Sequence, residues 1–292
     1  MTILNDIRLI ATRNSGSTAI RRLKVLTLSQ PTPMMAFVFE PVVCLVLQGA
    51  KRTLIGDQTF DYGPVECMVV TAEVTALSQV YKASADAPFI SLNLSLDPVV
   101  ISSVLAEMIA VPALSNAVGF TAGVTSSELL DVWRRLAGLL ERRSEIPVMF
   151  PLLERELIFR LLLSPYGRVL RQIGGYGTLL ESVRRSMAWI REHYKQALSV
   201  GCMAEVAGMS VSVFHKRFKE VTALSPLQYQ KHIRLHEARR MMMSEGAKAA
   251  QVGFSVGYES ASQFSREYKR LFGNSPGVDG DALQHVLRDD YA

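Results

Sequence analysis

Near the end of the chain, Gly257 to Pro276 reads GYESASQFSREYKRLFGNSP, and its spacing predicts one short amphipathic helix. Phe264, Tyr268, Leu271 and Phe272 fall at i, i+4, i+7 and i+8 and make a single apolar face. Ser262, Gln263, Arg266, Lys269 and Arg270 lie on or beside the opposite face. Their chemistry is recognition rather than turnover: hydroxyl, amide, guanidinium and ammonium donors, with no nucleophile set beside a base. Such a face suits the DNA major groove, where Arg pairs bidentately with guanine and Gln with adenine. Ser260 is placed to cap the helix, and Gly273 with Pro276 to end it.

A matching arrangement lies upstream. Ala204 to Ser210 (AEVAGMS) reads as a helix and tight turn, followed by Val211 to Val221 (VSVFHKRFKEV) as a second helix. Val211, Phe214, Phe218 and Val221 are expected to hold it down, leaving Ser212, His215, Lys216 and Lys219 outward. Ser225 to Met242 (SPLQYQKHIRLHEARRMM) runs between the two as a longer amphipathic helix. Two helix-turn-helix units joined by a linker helix resemble the DNA-binding module of the AraC/XylS family of transcription regulators. The residues that carry the resemblance are SPLQYQKHIRLHEARRMM and VGYESASQFSREYKRLFGNSP.

The resemblance implies a sequence-specific regulator of double-stranded DNA, usually an activator, with RNA polymerase as a further partner. It places Ser212, His215, Lys216, Ser262, Gln263 and Arg266 at base edges. Lys219, Lys269 and Arg270 are the phosphate candidates. Gly253 stands where the family pattern commonly has alanine, a loss of ~1 kcal/mol in helix propensity that is expected to loosen the second unit.

Charge follows the same division. Residues 178–277 carry 15 Lys/Arg against 8 Asp/Glu, whereas residues 1–177 carry 16 against 15. A basic block confined to one region fits a polyanion, because each neutralised phosphate releases counterions. The 292 residues leave room for two domains at about 100–200 residues each. No run approaches the ~18 apolar residues of a membrane span. Asp6, Arg8 and Arg13 exclude a secretory leader at the start. Cys44, Cys67 and Cys202 are too scattered for a disulfide framework. The expectation is a cytoplasmic protein without a membrane partner.

From Met34 to about Leu96 the pattern is short strands and turns: Ala36 to Leu47, Lys51 to Ile55, Phe60 and Tyr62, Cys67 to Thr71, Val74 to Tyr81, and Phe89 to Leu96. This spacing predicts an antiparallel barrel or sandwich. VCLVLQGAKR, DQTFDYGP and PFISLNLSLDP, in that order, resemble the amino-terminal domain of one AraC-type subgroup. That implies a cupin-like barrel sensing a small-molecule effector. After Asp97-Pro98 the period turns helical over Val99 to Met108, from Ser126 onward, and over Val148 to Leu163. These helices either cover the barrel or pair with a second copy in a homodimer.

The expected fold class is therefore α+β: a cupin-like antiparallel β-barrel with C-terminal helices, then an all-α double helix-turn-helix domain. Its divisions are a sensing and dimerisation domain (1–165), a linker (166–178), the DNA-binding domain (179–278) and a solvated acidic tail (279–292). Gly175-Tyr176-Gly177 lacks the context of a nucleotide loop and reads as linker.

Phe37, Phe39, Cys44 and Cys67 are the candidates for the barrel's ligand pocket. Cys44 and Cys67 read as small buried hydrophobes, with a thiol sensor for an electrophile as the alternative; Cys202 reads as core. All five histidines (His193, His215, His232, His236, His285) lie in the second half. A barrel without imidazole is poorly equipped for a transition metal, so no metal, cofactor or enzymatic activity is expected. His232 and His236 stand at i, i+4, but without a third ligand they read as linker-helix surface. Two rivals remain: a barrel enzyme tethered to DNA, and a regulator whose barrel only dimerises.

Overall fold

The computed structural model describes residues 2–56, 58–108, 119–174, 179–245 and 249–279. The chain divides into two compact units, the first of Met1–Glu181 with Glu220–Ala223 and the second of Ser182–Lys219 with the chain from Leu224 onward.

The first unit runs α1 (Ile3–Arg13), β1 (Gly16–Ser17), β2 (Leu23–Leu28), β3 (Met35–Phe39), β4 (Val42–Gln48), β5 (Ala50–Ile55), β6 (Gln58–Tyr62), β7 (Glu66–Val70), β8 (Val74–Lys82) and β9 (Phe89–Ser95). Then come α2 (Pro98–Glu107), β10 (Phe120–Val124), α3 (Ser127–Gly138), α4 (Ile146–Leu163) and α5 (Gly167–Gly174). The strands form two antiparallel sheets, ordered β1-β2-β9-β4-β7-β10 and β3-β8-β5-β6. Phe60 of β6 meets Phe120 of β10 edge-on at 5.7 Å, closing one side between the sheets.

Alternation explains how the larger sheet is used. On one face of β4 and β9, Val43, Leu45, Leu47, Leu92 and Leu94 are buried and α1 packs over the strands. The other face turns toward the smaller sheet with Cys44, Val46, Ser91 and Asn93. Residues of both faces are enclosed, so these central strands read as continuous apolar runs broken only at the polar inner positions.

Three expectations need correction. Ala36 to Leu47 is not one strand: Pro41 cannot donate to a ladder, and the chain crosses there from the smaller sheet (β3) to the larger (β4). The region after Asp97 is not purely helical, since β10 inserts itself beside β7 in register Phe120↔Val70 to Val124↔Glu66. Much of the expected linker, 166–178, is a helix: α5 packs on α2 and α4, and Tyr166, Val169 and Leu170 are buried. Gly175-Tyr176-Gly177 lies outside the described residues.

The helices begin where the sequence predicts. Asp97 accepts from the Val99 amide with Pro98 in the first turn of α2, and Ser126 accepts from the Leu129 amide at the start of α3. One ion pair joins the helical layer to the strands. Glu154 of α4 is buried and accepts from Arg22, just before β2, at 2.6 Å. Asp97 lies 3.7 Å from the same guanidinium, which also covers the Phe150 ring at 5.6 Å. Burial raises the Glu154 carboxyl while Arg22 lowers it, leaving it above the ordinary carboxylate range. Removing one partner strands the other charge. Arg22→Met should therefore cost ~3 kcal/mol, read as an earlier denaturant midpoint, and Arg22→Met/Glu154→Leu should recover much of that loss.

Candidate nucleic-acid interface

The second unit holds α6 (Leu179–His193), α7 (Val200–Ala207), α8 (Val211–Thr222), α9 (Pro226–Glu245), α10 (Ala249–Ser255) and α11 (Ala261–Phe272). Two pairs, α7–α8 and α10–α11, each make a helix, a turn and a helix. In the first pair the Ser199 hydroxyl accepts from the Cys202 amide at 3.2 Å to start α7. Gly208 ends α7 in the left-handed region, φ 66°, where glycine carries no side-chain penalty. Phe214 and Phe218 are fully buried, and Phe218 continues edge-on to Tyr229 of α9 at 5.4 Å.

Two residues here depart from expectation. Cys202 is exposed, because α7 buries the stripe Met203, Ala204 and Ala207 instead. Val211 is also exposed; it opens α8 one turn before Phe214 and lies past the edge of the core.

In the second pair the turn is built on Gly257, at φ 96°. A Cβ there would run into the Lys195 carbonyl, so glycine is required by both conformation and space. Ser260 caps α11 by accepting from the Gln263 amide. The helix is then held by a run of rings: Tyr258 to Phe264 at 5.3 Å, Phe264 to Tyr268 at 5.5 Å, and Tyr268 to Phe272 at 4.5 Å. Leu235, Ala238, Met242, Val252 and Val256 complete the cluster.

Polar bonds pin the same helix through two adjacent residues near its middle, Glu267 and Tyr268. Glu267 accepts from Lys231 at 2.9 Å, from the Tyr258 hydroxyl at 2.9 Å and from Gln263 at 3.3 Å. Burial works against its ionisation, but these donors outweigh it and hold the carboxyl below its usual range. Asp279 accepts from Tyr268 at 2.7 Å and from Arg239 at 2.9 Å. It is buried and so is not the first residue of a solvated acidic tail; residues 280–292 lie outside the described residues. Asp279, Arg239 and Glu267 were missed in the sequence because carboxylates near a helix end read as solvent-facing. The repeated Tyr spacing beside them was the one available signal.

His232 and His236 are also not a surface pair. Both are half-buried on α9, and His236 meets the Phe272 edge at 5.3 Å. Burial pushes both imidazoles down to about 4, so each is neutral at pH 7.

The outward faces carry the predicted readers. Ser212, His215, Lys216 and Lys219 are all exposed on α8, at i, i+3, i+4 and i+7. On α11, Ser262, Arg266, Lys269 and Arg270 are exposed, while Gln263 is half-buried with its amide toward Glu267. Ser262 shares a hydrogen bond with Ser260 at 2.9 Å. Two short helices thus each turn an aromatic face inward and a donor-rich face outward.

The first unit holds the four pocket candidates. Phe37 and Phe39 lie on the face of β3 that continues through Ala76 and Val74 of β8, their rings 6.2 Å apart. Cys44 is buried on the inner face of β4. Cys67 belongs elsewhere: it pairs with Leu45 and Gly123, on the helix-covered face, and accepts from the Thr125 hydroxyl at 3.1 Å. Burial pushes its thiol up to about 12 and raises that of Cys44 as well, which leaves neither as a ready thiolate.

The model of the AraC-type transcriptional regulator N-terminus matches residues 19–169, and a helix-turn-helix domain model matches residues 203–279. Among curated proteins, the chain is 26% identical over 151 residues to the HTH-type transcriptional activator RhaS of Salmonella schwarzengrund, covering 52% of this chain and 54% of the relative. RhaS of Salmonella dublin is 27% identical over 153 residues. The chain spans about half the length of the curated relatives it matches. Among solved structures, apo ToxT from Vibrio cholerae strain SCE256 is similar with a TM-score of 0.59 at 10% identity, over 92% of this chain and 100% of that one. ToxT from Vibrio cholerae O395 bound to (E)-4-(8-methylnaphthalen-1-yl)but-3-enoic acid follows with a TM-score of 0.57 at 11% identity, over 89% and 99%. At these identities the likeness is one of fold.

Gly253 decides how α11 is seated. A Cβ at this position would lie 2.9 Å from two atoms of the Phe264 ring and 3.2 Å from its Cβ. The glycine therefore admits the ring rather than loosening the unit. Gly253→Ala gains ~1 kcal/mol of helix propensity but overpacks the core at a cost of ~1–3 kcal/mol. A lower melting temperature is expected, and Gly253→Ala/Phe264→Leu should melt above the single variant.

Proposed function

The chain belongs to the AraC-type transcriptional regulators, and on that footing we propose that it is a cytoplasmic, sequence-specific DNA-binding activator whose first unit senses a small organic effector. The observation that carries this reading is the pair of matched faces on α8 and α11. Lys216, Lys219, Arg266 and Lys269 are exposed there, and among the described residues none of them has an intramolecular ion pair. A helix face of this kind has its donors available to a duplex rather than spent within the protein. The reading favours a regulator over a barrel enzyme tethered to DNA: burial raises the thiols of both Cys44 and Cys67, on opposite faces of the larger sheet, and no histidine lies in the strands. Among the described residues no helix is long and apolar enough to cross a membrane.

On this reading Arg266, near the middle of α11, spans the O6 and N7 acceptors of a guanine, and Lys269 meets a phosphate nearly one turn later. Ser212, His215, Lys216, Ser262 and Gln263 are the remaining base-edge candidates, and Lys219 and Arg270 join Lys269 at the backbone. Gln263 would have to leave Glu267 to reach an adenine, which makes Ser262 and Arg266 the readier donors.

Dimerisation has its own support. Along α4, Val148, Leu152, Phe159 and Leu163 are 68, 57, 38 and 60% exposed, at intervals that return to one side of the helix. Arg155, paired with Glu107, interrupts these apolar residues on the same side; exposed apolar groups of this kind suit a partner surface, and a second copy of the chain is the partner proposed. Activation would further require contact with RNA polymerase.

Two measurements test these assignments. On a duplex carrying the cognate site, Arg266→Ala should lose ~1–3 kcal/mol and blur discrimination at one base position. Lys269→Ala should weaken all sequences alike and make the log-affinity against log-salt slope shallower by about one unit. An unchanged specificity ratio for Arg266→Ala would remove α11 as the reader. Separately, Leu152→Glu/Phe159→Glu should halve the mass seen by light scattering while leaving the far-UV circular dichroism intact. A wild-type chain that is monomeric at micromolar concentration would exclude α4 as the interface.

A further inference from the structure

Lys51 is a charged side chain of β5 that the first unit turns toward the space between its sheets. Its strand alternates across the smaller sheet. Arg52 points outward and is exposed, paired with Asp61 at 2.6 and 2.7 Å. Lys51 and Thr53 point the other way. Thr53 is fully buried and shares hydrogen bonds with the Tyr62 hydroxyl at 3.1 Å and the Ser78 hydroxyl at 3.0 Å. Lys51 lies opposite Tyr62 and Val80, which fixes its direction as inward.

What meets it there is aromatic rings and a thiol, not a carboxylate. Its ammonium lies 5.2 Å from the centre of the Phe39 ring and 6.0 Å from that of Phe37. From the facing sheet Cys44 is close enough for the two groups to influence each other's ionisation. Ser91 and Asn93, hydrogen-bonded to each other at 3.1 Å, stand beside Cys44 on the same inner face. Lys51 is only half-buried by exposed area, yet burial is the largest influence on its amine and pulls its pKa below the ordinary value. Ring faces offset part of that cost by cation–π attraction. They do not replace an anion. A desolvated cation is stabilised by an anion brought to it.

We infer that the effector is an organic carboxylate with an apolar body, its carboxylate paired with Lys51 and its body lying against Phe37 and Phe39 within the sheets. This rests on the proposal that the first unit senses a small molecule, and it adds the class. Ser91 and Asn93 supply neutral donors to the oxygens the ammonium does not reach. Phe39, Cys44 and Val46, with the 40%-exposed Phe37 at the edge, suit an apolar body.

The test uses the full-length protein with decanoate and 1-naphthoate, each against its neutral counterpart, 1-decanol and 1-naphthamide. Calorimetry should show at least one acid binding tenfold or more tightly than its counterpart, with a matching rise in melting temperature. In Lys51→Met that preference should vanish, acid and neutral probe binding alike, whereas Lys51→Arg should keep it. Lys51→Met replaces the stem and removes a desolvated charge, so it should melt no lower than wild type; Lys51→Gln repeats the test if it does not fold. The inference falls if neither acid is preferred, if Lys51→Met retains the preference, or if borohydride with decanal traps an imine on Lys51 while the acids do not bind. Salt-dependent DNA affinity of the same wild-type preparation, without probe, is measured alongside. Its loss would strike the regulator proposal itself, whereas intact DNA affinity with no acid preference strikes only the role of Lys51.

Discussion

The second unit depends on a ring occupying the space a side chain would otherwise fill. Phe264 sits where residue 253 has no Cβ, and that contact sets how closely α10 and α11 approach. A helix of 12 residues such as α11 is marginal by itself in water. It persists because Phe264 and Tyr268 are wholly buried, and its direction persists because the rings are large and rigid. Arg266, two residues beyond Phe264, inherits its position from that packing. A reader on a helix free to roll would lose register with the base edge it addresses.

The two halves of the unit show different contacts. The α8 helix is held by Phe214 and Phe218 with Tyr229, and its turn uses one left-handed glycine. The α11 helix adds two carboxylate anchors, Glu267 and Asp279, each tying a tyrosine hydroxyl to a basic residue of α9. Buried carboxylates must be satisfied by such donors or they destabilise what they touch. Once satisfied they resist rotation of the helix more than apolar contact does, because a hydrogen bond is directional. The α11 helix is thereby held in direction as well as in place.

Periodicity made the outline of this architecture legible. Phe264, Tyr268 and Phe272 marked the inner face of α11 without any structure, and Ser260, Ser126 and Asp97 announced their helices by residue type. What escaped were features set by neighbours far away in sequence. Pro41 divides a run that looks like one strand, and β10 is a five-residue segment with a glycine that becomes a strand only because β7 has an open edge. Cys202 seemed interior by composition, but the face of α7 is chosen by Met203, Ala204 and Ala207. His232, His236 and Asp279 carry polar side chains that seemed to belong in solvent; each is covered by rings or partners from another helix. Cys67 was assigned to the correct strand and the wrong face, a one-residue matter that only register can decide.

The same alternation argues about the interior of the first unit. In β9, Phe89-Ile90-Ser91-Leu92-Asn93-Leu94-Ser95, one face is leucine and isoleucine and the other carries Ser91, Asn93 and Ser95. Both faces of this strand are enclosed, so solvent exposure does not account for the polar one. A dry core would place apolar side chains on both, since an enclosed hydroxyl or amide is stabilising only when bonded. Ser91 and Asn93 bond each other, and Thr53, Ser78 and Tyr62 do so across the smaller sheet. Such pairs are already satisfied and can still accept or donate once more. The apolar face packs helices; the face that carries Ser91 and Asn93 beside Cys44 looks across to Lys51 of the smaller sheet.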